Sequence, residues 1–246
     1  MRVREILLAL LVILIGAGGI HAQEKNPFLS KKNSFSLKAG YHILNGSEYT
    51  DFWMINQRDY GGPAAEIAYE RELIRNLGLE IALGFHRANQ GYNYSNLILL
   101  GDSASLDTTL SNTYLSLSLK PHFPIGNYFQ FYFGAGADLY YTLANFTGSY
   151  MRGSSTVSFD ETESYLSVGV HGMGGVEYLF WRTKNRSAEF DMPVSFFIEY
   201  KYSYVPVKDF DKKVIDHIHS LTGSTINAHQ MDVGGHLAFL GLRWRF

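Results

Sequence analysis

This chain predicts an all-β fold: an eight-stranded antiparallel up-and-down barrel that crosses a membrane and is preceded by a cleavable leader. Three observations predict it. Long stretches alternate apolar and polar residues with a period of two, as strands with two differently solvated faces require. The connections between those stretches alternate long and short. After the N-terminal leader no run of 18 apolar residues occurs, so a membrane crossing has to be made by strands, whose backbone groups pair within a closed sheet.

The leader comes first. Arg2 and Arg4 precede the apolar run Ile6 to Ile15, the small stretch Gly16 to Gly19 follows, and Ala22 offers a cleavage point. The apolar stretch Ile6 to Ile20 holds 15 residues, where a membrane helix needs about 20. A signal peptide over residues 1–22 is expected, then a short periplasmic segment, 23–32, and a barrel over 33–246. The sequence has no Cys, which removes disulfides, thiolate metal sites and a lipidated N-terminus. With 17 Tyr and 17 Phe beside 24 Gly and 6 Pro, composition favours strands whose aromatics serve membrane interfaces. A formal net charge of −2 argues against a nucleic-acid partner. Mean hydropathy of −0.09 suits a barrel with a polar interior and polar loops.

Eight strands follow in order. In Asn33 to Ile43, Phe35, Leu37, Ala39, Tyr41 and Ile43 face one way and Ser36, Lys38 and His42 the other. Pro63 to Glu70 sets Ala65, Ile67 and Tyr69 against Glu66 and Glu70. Leu77 to Gln90 opposes Leu79, Ile81, Leu83 and Phe85 to Glu80 and His86; Asn112 to Lys120 opposes Leu115, Leu117 and Leu119 to Ser116, Ser118 and Lys120. Tyr128 to Leu143 has the longest alternation, with Phe129 to Leu143 on one face and Gln130, Tyr132, Asp138 and Tyr140 on the other. The sixth and seventh strands, Ser164 to Phe180 and Val194 to Tyr204, place His171, Glu177, Glu199 and Lys201 on the polar side. The eighth, Met231 to Phe246, ends with Leu242, Trp244 and Phe246 outward and Arg243 inward.

Connections after the odd-numbered strands, 44–62, 91–111, 144–163 and 205–230, are long; those after the even-numbered ones, 71–76, 121–127 and 181–193, are shorter. Long loops on the outer side and short turns on the periplasmic side produce this rhythm and put both termini in the periplasm.

The leader, the eight alternating strands, the segment Phe196-Phe197-Ile198-Glu199-Tyr200-Lys201-Tyr202 and the ending Gly241-Leu242-Arg243-Trp244-Arg245-Phe246 resemble the superfamily of small outer-membrane β-barrel proteins, the opacity-type and porin-like barrels. The resemblance spans the whole mature chain. It implies a Gram-negative outer membrane, contact with its lipids, and a terminal-strand signal, Leu242, Trp244 and Phe246, read by the barrel assembly machinery.

A barrel of eight strands is about filled by its own side chains. The inward set Lys38, Glu66, Glu70, Glu80, Lys120, Asp138, His171, Glu177, Glu199, Lys201 and Arg243 is therefore expected to pair as a lumen polar network, since a buried unpaired charge costs several kcal/mol. A narrow solute path along these groups is the alternative, opposed by the inward Tyr132, Tyr140 and Phe239. A second alternative is acyl hydrolysis of lipid A: His42, His86 and His171 share the inward face with carboxylates and serines, an arrangement able to activate a nucleophile. Lipid A deacylases carry their His and Ser on a late strand facing lipid, where this chain reads Lys201-Tyr202-Ser203-Tyr204, with no His. The leading expectation is thus a non-enzymatic surface or structural protein without cofactor or metal. Asp216, His217, His219 and His229 in the last loop have loose metal-like spacing, best read as a solvated loop. Tyr69, Trp181, Trp244 and Phe246 fit a periplasmic aromatic girdle and Tyr41 and Tyr204 an outer one; His236 shares the lipid-facing parity. In the first loop Tyr49, Phe52 and Trp53, with Met54 and Tyr60, form an apolar cluster read as a contact surface for an extracellular partner. The other reading is a loop folded over the barrel mouth.

Overall fold

The computed structural model describes residues 32–56, 60–95, 102–181, 193–223 and 226–246. The signal peptide expected over 1–22, and the periplasmic segment expected over 23–32 apart from its last residue, lie outside these. Eight long strands close into a barrel: β1 (Asn33–Ile43), β2 (Gly61–Ile74), β3 (Leu77–Ser95), β4 (Asp102–Ile125), β5 (Phe129–Arg152), β6 (Ser155–Trp181), β7 (Val194–Tyr204) and β10 (Gly235–Arg245). Each pairs antiparallel with its sequence neighbour, and β1 closes on β10, with Leu37 opposite Leu242 and Asn33 exchanging backbone hydrogen bonds with Phe246. Helix α1 (Glu48–Phe52) lies between β1 and β2; the small strands β8 (Pro206–Val207) and β9 (Met231–Asp232) flank helix α2 (Lys212–Thr222) between β7 and β10.

All eight strands are found at the expected places, but the last starts at Gly235 rather than Met231, since Met231 and Asp232 pair with Val207 and Pro206 instead, and four reach well past the expected ends: β3 runs to Ser95, β4 starts at Asp102, β5 runs to Arg152 and β6 begins at Ser155. The long loops expected over 91–111 and 144–163 are therefore mostly strand. A two-residue turn, Gly153 and Ser154, with Gly153 at φ 59°, joins β5 to β6. At the opposite end Arg75 and Asn76 join β2 to β3, Asn76 taking φ 65° as Asn tolerates better than most residues. The expected turn 181–193 falls almost wholly outside the described residues.

Those extensions escaped the sequence reading because polarity inverts partway along each strand. In β4 the exterior residues Leu115, Leu117 and Leu119 are half exposed and apolar, while Ser116, Ser118 and Lys120 are buried inside. Farther along the same strand the inward side becomes Ala104, Leu106 and Leu110, all buried, and the outward side Ser105, Asp107 and Thr109. The same exchange occurs in β5 between Thr142 and Ala144, and in β6 between Leu166 and Ser164. Below that line the exterior is apolar all round; above it the exterior is polar. The ten steps from Leu115 to Ile125 cover about 33 Å of strand, hence about 25 Å of height at a tilt near 40°, the thickness of a barrel's apolar band.

Candidate functional site

Below the inversion line the interior is a lattice of charge. At the turn end, His122 Nε2 lies 2.6 Å from Glu70 Oε1, and Gln130 Nε2 2.6 Å from His122 Nδ1. Glu177 holds Arg245 at 2.5 Å and Arg243 at 2.8 Å, and Arg243 Nε donates to Ser36 Oγ at 3.0 Å. One layer up, Lys38 Nζ sits among three carboxylates, Glu66 at 2.5 Å, Glu199 at 2.7 Å and Glu80 at 3.3 Å. Lys120 reaches Glu80 at 2.7 Å and lies 4.3 Å from the centre of the Tyr132 ring, whose hydroxyl donates to Glu199 at 2.8 Å. Tyr114 donates to Glu66 at 2.8 Å. These large rings fit because glycine stands opposite: a Cβ on Gly84 or Gly175 would run into Tyr114 or Tyr132.

The next layer centres on Asp138, which receives Lys201 Nζ at 3.1 Å, Ser203 Oγ at 3.1 Å and Ser116 Oγ. His171 Nδ1 is 2.9 Å from Asp138 Oδ1, and its Nε2 is 2.8 Å from Ser118 Oγ. Above it Tyr114 and Tyr140 stack at 5.0 Å, and His42 lies against His86 with ring centres 3.7 Å apart. His42 Nε2 meets the carbonyl of Gly234 at 2.7 Å.

The structure thus brings together every residue expected in the lumen. It adds His122 and Tyr114, and it ties Arg245, Gln130 and the serines 36, 116, 118, 195 and 203, already on the polar parity, into the same network. His122 was hidden because the fourth strand was ended at Lys120. Six carboxylates (Glu66, Glu70, Glu80, Asp138, Glu177, Glu199) face five permanent cations (Lys38, Lys120, Lys201, Arg243, Arg245) and two imidazoles, so most charges have an opposite partner.

Ser118, His171 and Asp138 carry the spacing of a nucleophile, base and carboxylate. Their surroundings do not suit acyl transfer. Ser118 is 1% exposed, within the charged lattice rather than on the lipid face, and Asp138 is shared by Lys201, Ser116 and Ser203. Ser203 faces inward too.

Above the inversion line an apolar roof closes the mouth. Tyr49, Trp53 and Tyr60 are fully buried and pack with Leu106, Leu110, Phe146, Phe210, Val214, Ile218 and Met231. This corrects the reading of Tyr49, Phe52 and Trp53 as an exposed contact surface: the first loop folds inward because the extended strands offer it an apolar wall. Two loops are joined there through a buried carboxylate. Asp211 accepts Trp53 Nε1 at 3.0 Å and lies 2.7 Å from His229 Nδ1, while the His229 ring stacks on Phe52 at 4.2 Å. Burial pushes the Tyr49 and Tyr60 hydroxyls well above the usual phenol range; Tyr150, which donates to Asp102 at 2.6 Å, rises to about 12, mainly by burial.

Helix α2 is fastened to β6. His217 Nε2 lies 3.0 Å from Glu161 and its ring stacks on Phe159. That hydrogen bond holds the Glu161 carboxyl below its ordinary value. His217 and His229 thus have separate carboxylate partners, and among the described residues no three His, Asp or Glu side chains converge as metal ligands. On the exterior, Tyr41, Tyr202 and Tyr204 lie at the level of His236, whose Nδ1 meets Tyr200 Oη at 2.5 Å; Tyr69, Trp181 and Phe246 mark the other rim. Trp244, half-buried, packs on Phe35 at 6.4 Å.

A family model for the outer membrane protein beta-barrel domain matches residues 10–246. Among solved structures, neisserial surface protein A is 16% identical with a TM-score of 0.44, the match covering 87% of this chain and 96% of that one. The outer membrane protein OprG of Pseudomonas aeruginosa is 12% identical, TM-score 0.43, over 88% and 97%. Ail, the attachment invasion locus protein of Yersinia pestis, solved with the heparin analogue sucrose octasulfate, is 17% identical, TM-score 0.39, over 88% and 99%. No curated protein matches.

Proposed function

Because the chain belongs to the outer membrane protein β-barrel domain family, we propose that it is a non-enzymatic surface protein: a sealed barrel that anchors a rigid extracellular cap, which binds a partner outside the cell. In this reading residues 1–22 are removed, 33–246 form the barrel, and both termini and the short turns lie in the periplasm. Leu242, Trp244 and Phe246, outward at the β10 end, form the signal for the assembly machinery. The cap consists of the outer parts of β3 to β6 with α1 and α2.

The observation that carries this reading is the double closure of the interior. Ions meet a paired lattice from Glu70 to Asp138, then the Tyr114–Tyr140 stack, then an apolar core with Trp53 at its centre. Burying this much charge and aromatic volume favours a plug over a path. The large structured part left facing water is the cap.

The test uses the purified protein in planar bilayers and cells expressing it. Conductance at the bilayer baseline, lipid A of unchanged mass, and cell-surface binding that disappears when the tips of β3 to β6 are trimmed are expected. A steady ohmic conductance, or lipid A lacking an acyl chain, overturns the proposal.

A further inference from the structure

The cap leaves one row of backbone unclaimed. β6 pairs with β7 only as far as Val170 opposite Tyr204, yet it continues to Ser155 with β5 beside it throughout. The odd-numbered residues of β6 spend their backbone on β5, since Leu179 N–H donates to the Tyr128 carbonyl at 2.8 Å in the register of that pair. Backbone groups alternate sides along a strand, so even-numbered residues point to the side where β7 has ended. Lys213 of α2 marks that side, its Nζ donating to the Thr162 carbonyl at 3.3 Å. Below Thr162 the connection between β7 and β10 covers the strand, with Tyr165 Oη donating to the Phe210 carbonyl at 2.5 Å. Beyond it, Thr156, Ser158 and Asp160, paired with β5 on one side, have no strand on the other side among the described residues.

We propose that this edge, Thr156 to Asp160, binds an extended basic peptide segment of a protein outside the cell by antiparallel strand addition, and that Lys213 sets how much edge is offered. The inference deepens the binding reading above and rests on its extracellular placement. Unpaired edges are templates for another strand, and a lysine is a common way of blunting one. Asp160, whose exposed carboxylate accepts from Thr147 Oγ1 at 3.3 Å, gives the edge a negative charge, while Glu161 is taken up by His217 and Lys213 on the other face, so Lys or Arg suits the added strand opposite Asp160, and Thr or Ser opposite Thr156 and Ser158. A second copy in the same membrane is a poorer occupant. Both copies direct β6 the same way along the membrane normal, so their edges meet parallel, the weaker pairing.

The test uses the whole mature protein in phospholipid nanodiscs and a ten-residue peptide of alternating Lys and Thr as probe. Ser158→Pro removes an N–H that faces the open side and leaves the β5 ladder whole, as edge prolines do; heat-modifiable gel migration checks that the barrel has folded. Peptide binding is expected to slow amide exchange at Thr156, Ser158 and Asp160 and to weaken roughly tenfold in Ser158→Pro. Lys213→Ala is expected to tighten it several-fold and extend protection to Thr162. A peptide N-methylated at every second residue is expected to lose binding. Failure of the Lys–Thr peptide to bind, equal binding by folded Ser158→Pro, or protection of these amides by self-association without peptide overturns the edge proposal. Cell-surface binding that persists in Ser158→Pro but needs the cap leaves the broader reading standing; binding that survives trimming of the whole cap removes that reading instead.

Discussion

Replacing Lys38 with Met tests whether the lumen is a dry, paired lattice. Lys38 has no exposed side-chain surface and lies within 3.3 Å of three carboxylates. Without it, Glu66 keeps the Tyr114 hydroxyl and a distant Lys201 at 3.8 Å, Glu80 keeps Lys120 at 2.7 Å, and Glu199 keeps Tyr132 with Lys120 at 3.6 Å. Three carboxylates then share the neutralisation that one further cation supplied. Removing one partner of a buried ion pair costs about 3–5 kcal/mol, because the remaining charge stays buried; the unfolding constant should rise roughly 150- to 5,000-fold. The assay is denaturant unfolding in detergent micelles, followed by tryptophan fluorescence and heat-modifiable migration. The double variant Lys38→Met with Glu66→Gln should recover part of the loss by removing one stranded charge. If the interior is wet, Lys38→Met costs no more than an exposed pair, about 1 kcal/mol or less, and that result refutes the reasoning.

Trp53→Ala empties the middle of the roof and should destabilise the cap by about 3–5 kcal/mol, seen as faster amide exchange in α1 and α2. Conductance should stay at baseline, because the lattice beneath still fills the barrel. Ser118→Ala should leave lipid A unchanged, and a fluorophosphonate probe should not label Ser118 in the folded wild-type protein; labelling would make the Ser118–His171–Asp138 set a working site. Glu161 has a carboxyl pKa lowered by its bond to His217. Its contribution to docking α2 is therefore present above the ordinary carboxylate range and lost as pH falls through the lowered value; the protection factors of the α2 amides, taken relative to the intrinsic exchange rate at each pH, should fall with acid in the wild type and less so in Glu161→Gln. Deleting Phe246 should lower the amount of folded barrel in the outer membrane, measured by heat-modifiable gels of envelope fractions, while changing the stability of refolded protein by no more than about 1–3 kcal/mol, the worth of its two backbone hydrogen bonds to Asn33.

Strand number, closure and the facing of the lumen residues were legible because one repulsion governs them all: a charge cannot face hydrocarbon. Alternation such as Lys38 between Leu37 and Ala39, or Lys201 between Tyr200 and Tyr202, carries that rule in every strand. The cap was not legible for the same reason turned round. Past Leu115 in β4 and Leu143 in β5 the exterior is water, so Thr109 and Asn145 occupy the outward positions while Leu106, Leu110 and Phe146 turn inward. A reading that equates apolar with outward ends each strand there. The burial of Tyr49 and Trp53 depends on that unseen wall, and the binding edge depends on where β7 stops relative to β6, a difference in length that periodicity does not encode.

The inversion of inside and outside at one level of the strands is the claim most directly open to measurement. Methyl NMR of the protein in nanodiscs, with one relaxation probe on the lipid chains and another dissolved in water, addresses it. The account predicts that Leu115, Leu117 and Leu119 are broadened by the lipid probe and that Leu106 and Leu110, on the same strand, are broadened by neither. Access of the water-soluble probe to Leu106 and Leu110, or of the lipid probe to them in place of Leu115 and Leu117, would contradict it.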